Sequence, residues 1–431
     1  MKLRNAVVVD GLRTAFTKGG RGKLEAVRFD DLGATLVRAL LARNPKVKPT
    51  MINDFATGGD LAVGVANLAG IPAETTGFSS ARQCATTQET ATRLSMAIML
   101  GEYDCGISFG AERMGRGMGG NRPPGTGRWT RREGPNPKGG QRTKLQRDMP
   151  ANHFDYFSVP IPDYILDSPG ASMVQSGQNV CEMYDLTREE IDAFSMRSQH
   201  KLAKAYAAGI YKDEILPVEV ENPVFDKDGN WLPDQVGPMV ILDTDEGLRP
   251  NTTMEGLAKL PPVQGIVSYK PGPLMITAGN SCPTNCGLTV QLIMSEEMAL
   301  KLGVEFLARV IGWGNGGVKQ QIMGVGPVVS TPMALKHAGL EIDQIDRIEF
   351  NEAFACQVIA SLREFKITEE KVNVNGGSVG IGHPISATGN RLWMTVCKEL
   401  KRSNKRYGMA TQCVGSGQGM TVIFENPDAP K

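Results

Sequence analysis

Two stretches of this chain, one near each end, show the same order of predicted elements. Residues 35–59 and residues 332–354 each read as a helix, a polar turn and a short strand that ends in polar residues. Similarity at such a long spacing is typical of a duplicated domain. Strands and helices also alternate elsewhere, with a strand predicted at 7–11 and an amphipathic helix at 29–43. This alternation favours a layered α/β fold with mostly parallel strands.

The length and charge of the chain limit the number of domains and the classes of protein to which it can belong. At 431 residues it is too long for one ordinary core, so we expect two or three domains. A net charge of +1 argues against a general nucleic-acid-binding or membrane-surface protein. No apolar run approaches the length of a membrane span, and the N-terminus carries no apolar signal core. We therefore expect a cytoplasmic protein without a membrane span.

One segment between the two similar stretches departs from this pattern. Residues 113–142 contain seven arginines, nine glycines and one acidic residue. Such a content of glycine and proline is incompatible with a packed helix or a central strand. One interpretation is an arm that contacts phosphate or RNA. The other, which we favour because the sequence shows no matching basic face elsewhere, is an ordered excursion that covers a site or contacts another subunit.

The cysteines do not form a recognisable framework. The eight of them are scattered through a large chain, which suits reduced thiols better than disulfides. Cys282 and Cys286 have C-x₃-C spacing, but no second cysteine or histidine pair completes a zinc site. We therefore predict no metal site.

Three residues in turns or beside glycines are candidates for chemistry. Cys84 begins a predicted helix, where backbone N–H groups and the helix dipole favour the thiolate and lower a pKa that starts near about 8.5. His383 is one of four histidines and lies in the tight turn GIGHP, which limits its freedom. Cys413 ends a predicted strand, and the glycines after it let backbone N–H groups approach a ligand oxygen. Taken singly, each residue is also compatible with a buried cysteine or an ordinary turn.

Together with NEAFA at 351–355, these motifs make the sequence resemble the thiolases, the acyl-CoA acyltransferases. The resemblance extends over essentially the whole chain, and the motifs occur in the family's order. The segments that carry it are LRTAF after the opening strand, the Cys84 helix, SMVQSGQN (172–179), LTREEIDAFSMRSQ, ITAGNS (276–281), MGVGPV (323–328), NEAFA, GGSVGIGHPISATG and QCVGSGQG.

The resemblance implies a particular architecture. The expected fold is a five-layer αβαβα sandwich of two duplicated halves with an inserted loop domain. Its parts are an N-terminal half at 1–112, the loop domain at 113–275, a return to the first half at 276–300, and a C-terminal half at 301–431. The family also implies a homodimer or homotetramer.

The resemblance also implies roles for the candidate residues. Cys84 would be the nucleophile that becomes acylated, and His383 would take its proton. Cys413 would protonate the enolate carbon and would act as the base in the reverse, Claisen direction. Asn351 would hold a water that stabilises the enolate oxygen. Backbone N–H groups of Cys84 and Gly415 would stabilise the tetrahedral oxyanion. CoA is then a co-substrate, and no permanently bound cofactor is expected.

Six further residues stand at positions where the family has its substrate and CoA contacts. They are Arg249, Gly256, Cys282, Met173, Met323 and Phe354. Three pocket positions depart from the family. Ser172 stands where a histidine is common, while Cys282 and Gly256 stand where the family uses serines. The change at Ser172 removes a polar aromatic group near the thioester end, so the acyl group accepted here can differ from the common ones. At Cys282, which matches a CoA-contacting serine, a thiol is a weaker hydrogen-bond partner than a hydroxyl.

Two alternatives remain open from the sequence. One is a condensing enzyme of the same fold, similar to HMG-CoA synthase, which uses other residues where Cys413 and NEAFA stand. The other is a non-catalytic protein that binds RNA or a partner through residues 113–142. Membership of a β-oxidation enzyme complex in fatty acid metabolism is a further possible partner relationship.

Overall fold

The computed structural model describes residues 3–58, 62–114, 157–161, 165, 172–227, 229, 231–232 and 234–430. Apart from its first two positions, the glycine- and arginine-rich segment 113–142 lies outside the described residues, and so do both interpretations of it.

The strands, in chain order, are β1 (Ala6–Arg13), β2 (Thr17–Lys18), β3 (Asp54–Gly58), β4 (Thr76–Ser80), β5 (Cys105–Arg113), β6 (Val218–Glu221), β7 (Met239–Leu242), β8 (Asn285–Ser295), β9 (Ala308–Gly317), β10 (Arg347–Phe350), β11 (Tyr407–Val414) and β12 (Gln418–Glu425). The α-helices are α1 (Phe29–Arg43), α2 (Ala62–Ala69), α3 (Thr86–Leu100), α4 (Met173–Met183), α5 (Arg188–Ala207), α6 (Met254–Ala258), α7 (Glu296–Leu302), α8 (Gly326–Ala338), α9 (Ala355–Phe365), α10 (Ser378–Ile381) and α11 (Thr388–Arg402).

The main sheet shows the duplication directly. Its strands run in the order β10-β11-β12-β9-β1-β8-β5-β3-β4, with β2 added to β8. The order β1-β8-β5-β3 of the first half is repeated as β9-β12-β11-β10 in the second. The helices repeat in the same way. Helix α1 precedes β3 as α8 precedes β10, and α3 precedes β5 as α11 precedes β11. The predicted duplication is confirmed.

The prediction of mostly parallel strands is wrong. Parallel pairing is found between β3 and β4, β3 and β5, and β10 and β11, whereas the remaining pairs in the sheet are antiparallel. In the second half the reason is local. Ser416 and Gly417 have φ values of 69° and 83°, and this left-handed turn folds β12 back on β11 as a hairpin. The glycine run that marks a possible oxyanion site therefore also marks a strand reversal.

The helices α3 and α11 join the two halves. They contact each other, and each contacts strands of both halves. Residues 388–400 of α11 are all buried, so this helix has no solvent face over that length. Direct strand pairing across the two halves is short, because β1 meets β9 only at Val7–Arg309 and Val8–Ala308.

A separate group of elements lies between β5 and β8 in the chain. It contains α4, α5, α6 and the two-stranded sheet β6-β7. Helix α5 begins with a capping box between Thr187 and Glu190 and stops before Gly209, whose φ is 73°. None of the helices in the described residues is both long and apolar enough to span a bilayer.

Candidate active site

Cys84 and His383 are each held in a turn just before a central helix. Cys84 lies in the 3₁₀ turn Gln83–Ala85 that leads into α3, and Gln83 has a left-handed φ of 45°. His383 follows Gly382, whose φ is 108°, in the turn that leads into α11. A Cβ at Gly382 would lie 2.6 Å from the side-chain amide of Asn285, so only glycine fits there.

The two turns lie side by side because the two helix N-termini pack together. The backbone N–H of Asn390 donates to Thr87 Oγ1 at 3.0 Å. Gly389 approaches Gln88 so closely that a Cβ on the glycine would lie 2.2 Å from the Gln88 nitrogen. The nucleophile candidate of the first half and the base candidate of the second half are therefore brought together by a glycine contact.

Two strand ends and one loop complete the site. Asn351 directly follows β10, and its backbone N–H donates to the carbonyl of Thr411 in the parallel neighbour β11 at 2.9 Å. Cys413 lies two residues further along β11. The loop before β8 pairs with the NEAFA segment, since the N–H of Cys282 donates to the carbonyl of Ala353 at 3.0 Å. The structure thus gathers the three predicted catalytic segments of the second half around one region.

Cys84 is buried and lies beneath a backbone donor. Only 1% of the residue is exposed, and the backbone N–H of Gly415 acts to lower the pKa of the thiol. Gly415 itself packs on Gln83, since a Cβ there would lie 3.3 Å from the Gln83 Cβ. Two of the predicted oxyanion donors, the N–H groups of Cys84 and Gly415, thus both act on this sulfur in the resting state.

The prediction of a lowered pKa for Cys84 is wrong for the structure described here. Burial raises its pKa to about 11, and the hydrogen bonds from Gly415 and from its own N–H only partly oppose that effect. The position before a helix is as predicted, but removal of water from the thiolate outweighs the helix terminus. Cys84 therefore rests as a thiol and needs a base.

His383 is placed as a neutral base with a defined tautomer. Its Nδ1 lies 2.7 Å from Thr388 Oγ1, and that hydroxyl donates its own proton to the Pro384 carbonyl at 2.8 Å. Thr388 must therefore accept from Nδ1–H, which leaves the lone pair on Nε2. Burial, followed by the charge of Arg391, lowers the pKa of His383 to about 3. Among the hydrogen bonds of the described residues, none joins His383 directly to the Cys84 sulfur; the partner of Nε2 is Asn351 at 3.4 Å.

Asn351 uses its side chain in the site rather than as a helix cap. The N-cap position of helix α9 is occupied by Phe354, so Asn351 does not cap this helix. Its Nδ2 faces His383 Nε2, and its Oδ1 accepts from Ser378 Oγ at 2.7 Å. An amide N–H that points toward the base and the reacting centre is suited to hold a water or an anionic oxygen.

Cys413 is a buried thiol held by a glutamine that the sequence analysis did not select. Gln357 Nε2 donates to the Asn351 carbonyl at 2.7 Å, so its Oε1 faces Cys413. The Cys413 S–H donates to that oxygen at 2.8 Å. Burial, then the neighbouring Cys84 and Cys282, raise the pKa of Cys413 well above its ordinary value. The residue is therefore kept as a proton-carrying thiol.

Cys282 is a third thiol close to the other two. Burial and then the charge of Cys84 raise its pKa to about 12. It stands at a position where the family uses a serine, and its raised pKa makes it a neutral group with weak hydrogen-bonding power at neutral pH. Its place beside Cys84 and Cys413 is consistent with a substrate contact.

Arg249 and Gly256 line one cavity of about 570 Å³, as the sequence analysis expects for two CoA contacts. Lys18 lines it as well. The Arg249 Nη1 donates to the carbonyls of Glu246 and Leu248 at 2.9 and 2.8 Å, which holds the guanidinium without a carboxylate partner among the described residues. A cavity of this size with two cationic side chains is suited to a phosphorylated ligand.

The three predicted apolar contacts lie in different surroundings. Met323 and Phe354 are buried, at 2% and 6% exposure, in the same apolar cluster as Cys413. Met173 is 38% exposed at the start of α4. Ser172, which stands at a common histidine position of the family, caps α4 by accepting the Gln175 N–H at 3.1 Å. This serine therefore has a local structural task.

Sequence reasoning missed four supporting side chains of the site. Gln357 accepts from Cys413, and Thr388 bonds the His383 ring. Ser378 bonds Asn351, and Asn285 accepts from the backbone N–H of His383. Gln357 and Thr388 lie six and five residues after Asn351 and His383. A search for polar residues one or two helical turns beyond each candidate could have found these two.

A buried thiol beneath a backbone N–H, with a neutral imidazole and a second protonated thiol nearby, defines a site for cysteine-dependent acyl transfer. Family comparisons agree with that class. The "Thiolase, N-terminal domain" family matches residues 6–297, and the "Thiolase, C-terminal domain" family matches residues 304–426. The chain belongs to the thiolase family, whose members are acyltransferases that use CoA as a substrate.

Individual relatives cover the chain from end to end. It is 35% identical over 431 residues to the 3-ketoacyl-CoA thiolase of Bacillus subtilis, covering 98% of this chain and 100% of that protein. It is 34% identical over 439 residues to the 3-oxoadipyl-CoA/3-oxo-5,6-dehydrosuberyl-CoA thiolase of Escherichia coli, with coverages of 98% and 100%. The alternatives of a different condensing enzyme or an RNA-binding protein are not favoured by these relatives.

Solved structures confirm the fold class expected from the sequence. The crystal structure of human mitochondrial 3-ketoacyl-CoA thiolase is similar with a TM-score of 0.78 at 29% identity, covering 99% of this chain and 100% of that one. The Bacillus anthracis acetyl-CoA acetyltransferase is similar with a TM-score of 0.78 at 28% identity, with coverages of 98% and 99%.

Proposed function

We propose that the protein cleaves a 3-oxoacyl-CoA with CoA, or catalyses the reverse Claisen condensation, through an acyl group on Cys84. The observation that carries this proposal is the presence of two protonated thiols with different partners in one buried site. The Gly415 N–H lowers the pKa of the Cys84 thiol, whereas the S–H of Cys413 donates to the side-chain carbonyl of Gln357. The first is suited to become a thioester, and the second is suited to deliver a proton.

In the first half-reaction, His383 Nε2 takes the proton of Cys84 and the thiolate attacks the 3-keto carbon. The tetrahedral intermediate carries an oxyanion, for which the N–H groups of Cys84 and Gly415 are the proposed donors. Collapse breaks the carbon–carbon bond, leaving the acyl group on Cys84 and the electron pair on an acyl-CoA enolate. Cys413 then protonates the enolate carbon. The tautomer of His383 supports this sequence, because Thr388 holds the Nδ1 proton and the lone pair on Nε2 can accept the proton of Cys84.

In the second half-reaction, the Cys413 thiolate takes the proton of an incoming CoA thiol. The CoA thiolate attacks the acyl-cysteine, and the departing Cys84 thiolate regains the proton held by His383. Asn351 is proposed to hold a water, and that water and His383 are the proposed donors that stabilise the enolate oxygen formed in the first half-reaction. All proton carriers are then back in their starting states.

We propose the cavity of Arg249 and Gly256 as the CoA subsite, with Cys282, Met173, Met323 and Phe354 as contacts nearer the acyl group. Arg249→Ala is expected to raise the KM for CoA about tenfold with kcat within twofold, because a phosphate contact distant from the chemistry contributes uniform binding. Arg197→Ala is the control, since Arg197 pairs with Glu369 elsewhere on the surface. Equal KM values in the two variants would place CoA elsewhere.

We also propose the division into halves at 1–112 and 301–431, a loop domain at 113–275 and a return segment at 276–300. The position of α4, α5, α6 and the β6-β7 sheet between β5 and β8 supports the inserted domain. A homodimer or homotetramer is proposed, because β4 ends the main sheet with no strand on its outer side in the part of the chain that the structure describes. A cytoplasmic location and a setting in fatty acid β-oxidation are proposed, with all eight cysteines unpaired as a reducing compartment requires.

The test is intact-mass spectrometry after incubation with a panel of acyl-CoAs, combined with a thiolysis assay on 3-oxoacyl-CoAs. We expect an acyl adduct that peptide mapping places on Cys84, and neither adduct nor thiolysis in a folded Cys84→Ala variant. An adduct found only on Cys413 would reverse the assigned roles. A wild type inert toward the whole panel would reject the function.

A further inference from the structure

A buried arginine connects to the side chain of Asn351 through a serine. Arg391 is fully buried in α11, and its Nη1 lies 2.6 Å from Glu349 Oε2 in β10. Burial raises the pKa of Glu349 to about 8, against the opposing charge of Arg391. A guanidinium has donors only, so Arg391 donates whether or not Glu349 carries a proton.

The direction of each hydrogen bond follows from this arginine. Arg391 Nη2 donates to Ser378 Oγ at 2.7 Å. The serine has one proton of its own, and the second neighbour of its oxygen is Asn351 Oδ1, also at 2.7 Å. If the amide N–H faced the serine instead, the Ser378 proton would have no acceptor among the hydrogen bonds of the described residues, so Ser378 donates to Oδ1. This requirement fixes the amide with Oδ1 toward Ser378 and Nδ2 toward His383.

We propose that Ser378, oriented by Arg391, is a positioning residue that fixes which end of the Asn351 amide faces the reacting groups. The inference rests on the proposed thiolase reaction, in which Asn351 supplies a donor to an anionic oxygen. Ser378 does not touch substrate in this account. It acts through Asn351, and its own hydroxyl orientation comes from the arginine.

The physical need for such a residue comes from the symmetry of an amide. A carboxamide turned by 180° occupies the same space but presents an oxygen where a nitrogen was. In the reversed amide, the lone pairs of Asn351 Oδ1 would point at the lone pair of His383 Nε2. The same oxygen would also repel the enolate oxygen. Removing one oxyanion donor typically costs about 10²–10³ in kcat, so an amide that spends part of its time reversed loses a share of that factor.

The matched variants are Ser378→Ala and Ser195→Ala. Both serines are fully buried, but the hydroxyl of Ser195 donates to the Ile191 carbonyl in its own helix at 2.9 Å and has no further hydrogen bond to the described residues. We expect Ser378→Ala to lower kcat at least about tenfold, with KM within about threefold. Its melting temperature should lie below that of Ser195→Ala, because Arg391 Nη2 and Asn351 Oδ1 each lose a buried hydrogen-bond partner. Ser378→Thr keeps the hydroxyl and should recover most of the lost kcat. A kcat for Ser378→Ala equal to that of Ser195→Ala would overturn the proposal.

A second readout does not depend on turnover. In protein labelled with ¹⁵N-asparagine, the side-chain NH₂ signal of Asn351, assigned with Asn351→Asp, should exchange slowly in the wild type and in Ser195→Ala. It should shift and exchange faster in Ser378→Ala. If the wild type cleaves no 3-oxoacyl-CoA, the proposed function fails while this signal still decides the orientation of the amide. An unchanged signal in Ser378→Ala would reject the role of Ser378 even in an active thiolase.

Discussion

Gly389 of α11 lies against Gln88 of α3 with no room for a side-chain carbon between them. A Cβ on Gly389 would lie 2.2 Å from the Gln88 nitrogen and 2.8 Å from its Cβ. This contact sets the distance between the helix that follows Cys84 and the helix that follows His383. The active site depends on it, because the two turns are carried by these helices.

Gly389→Ala is therefore expected to destabilise the protein by about 3 kcal/mol, since backbone atoms on the other helix must move. Activity should fall further than stability predicts, as the two turns separate. Urea unfolding measures the first effect and thiolysis the second. Gly64→Ala in α2 is the control, because no atom lies within 4 Å of its added Cβ and alanine favours a helix. Equal stability of the two variants would contradict the tight contact.

Thr388→Val should lower kcat about tenfold or more, because valine keeps the shape of threonine and removes the acceptor of the His383 Nδ1 proton. The imidazole is then free to adopt the other tautomer, in which Nε2 carries the proton and cannot accept one from Cys84. Thr388→Ser should retain most activity. Long-range ¹H–¹⁵N spectra of the four histidines report the tautomer directly. A wild-type spectrum with the proton on Nε2 of His383 would contradict the hydrogen-bond assignment.

Gln357→Leu should impair the step that Cys413 performs. Leucine has a similar volume but offers the thiol no acceptor, so the S–H of Cys413 loses its fixed direction. Exchange of the acetyl-CoA methyl protons with deuterium measures proton removal at carbon, and we expect it to slow about tenfold. Acylation of Cys84 by acetyl-CoA should change less than twofold. Ser361→Ala serves as the control, because within the described part of the chain the Ser361 hydroxyl bonds just the backbone carbonyl of Gln357. An equal exchange rate in both variants would count against the role of Gln357.

The buried neutral state of His383 makes stability depend on pH in a defined direction. Its pKa is lowered from 6.5 to about 3 in the folded protein. Above pH 6.5 neither state carries the proton, whereas between pH 6.5 and 3 the unfolded chain binds a proton that the folded one does not. Stability is therefore lost as the pH falls through this window.

From pH 7 to pH 5 we expect the wild type to lose about 2 kcal/mol more than His383→Gln, which has no imidazole at this position. Chemical unfolding of both proteins at the two pH values gives the difference. Identical losses in the two proteins would show that the imidazole is not held neutral by burial.

The sequence predicted the parts of this site that lie within single motifs. Cys84, His383, Asn351 and Cys413 were recognisable because glycines, turns and a family resemblance accompany each of them. The duplicated order of strands and helices was recognisable because each half repeats it within a short stretch. The antiparallel pairing was not, since a strand's partner depends on a turn's handedness and on chain that returns from a distant insertion.

The electrostatics of the site could not be predicted from motifs either. The helix terminus before Cys84 is visible in the sequence, but the burial that raises its pKa arises from packing between residues far apart in the chain. The link from Arg391 to Asn351 spans β10, α10 and α11, and it becomes apparent only when these elements are seen together.

The proposed reactive groups are divided between the halves, with the proposed nucleophile in the first and both proposed proton carriers in the second. A fragment that ends near residue 300 would keep Cys84 but lack His383, Asn351 and Cys413. Each isolated piece would also expose the face of its central helix that the other normally covers. Turnover by two co-expressed fragments would thus act as a reporter of their reassociation, because neither fragment could produce the signal alone.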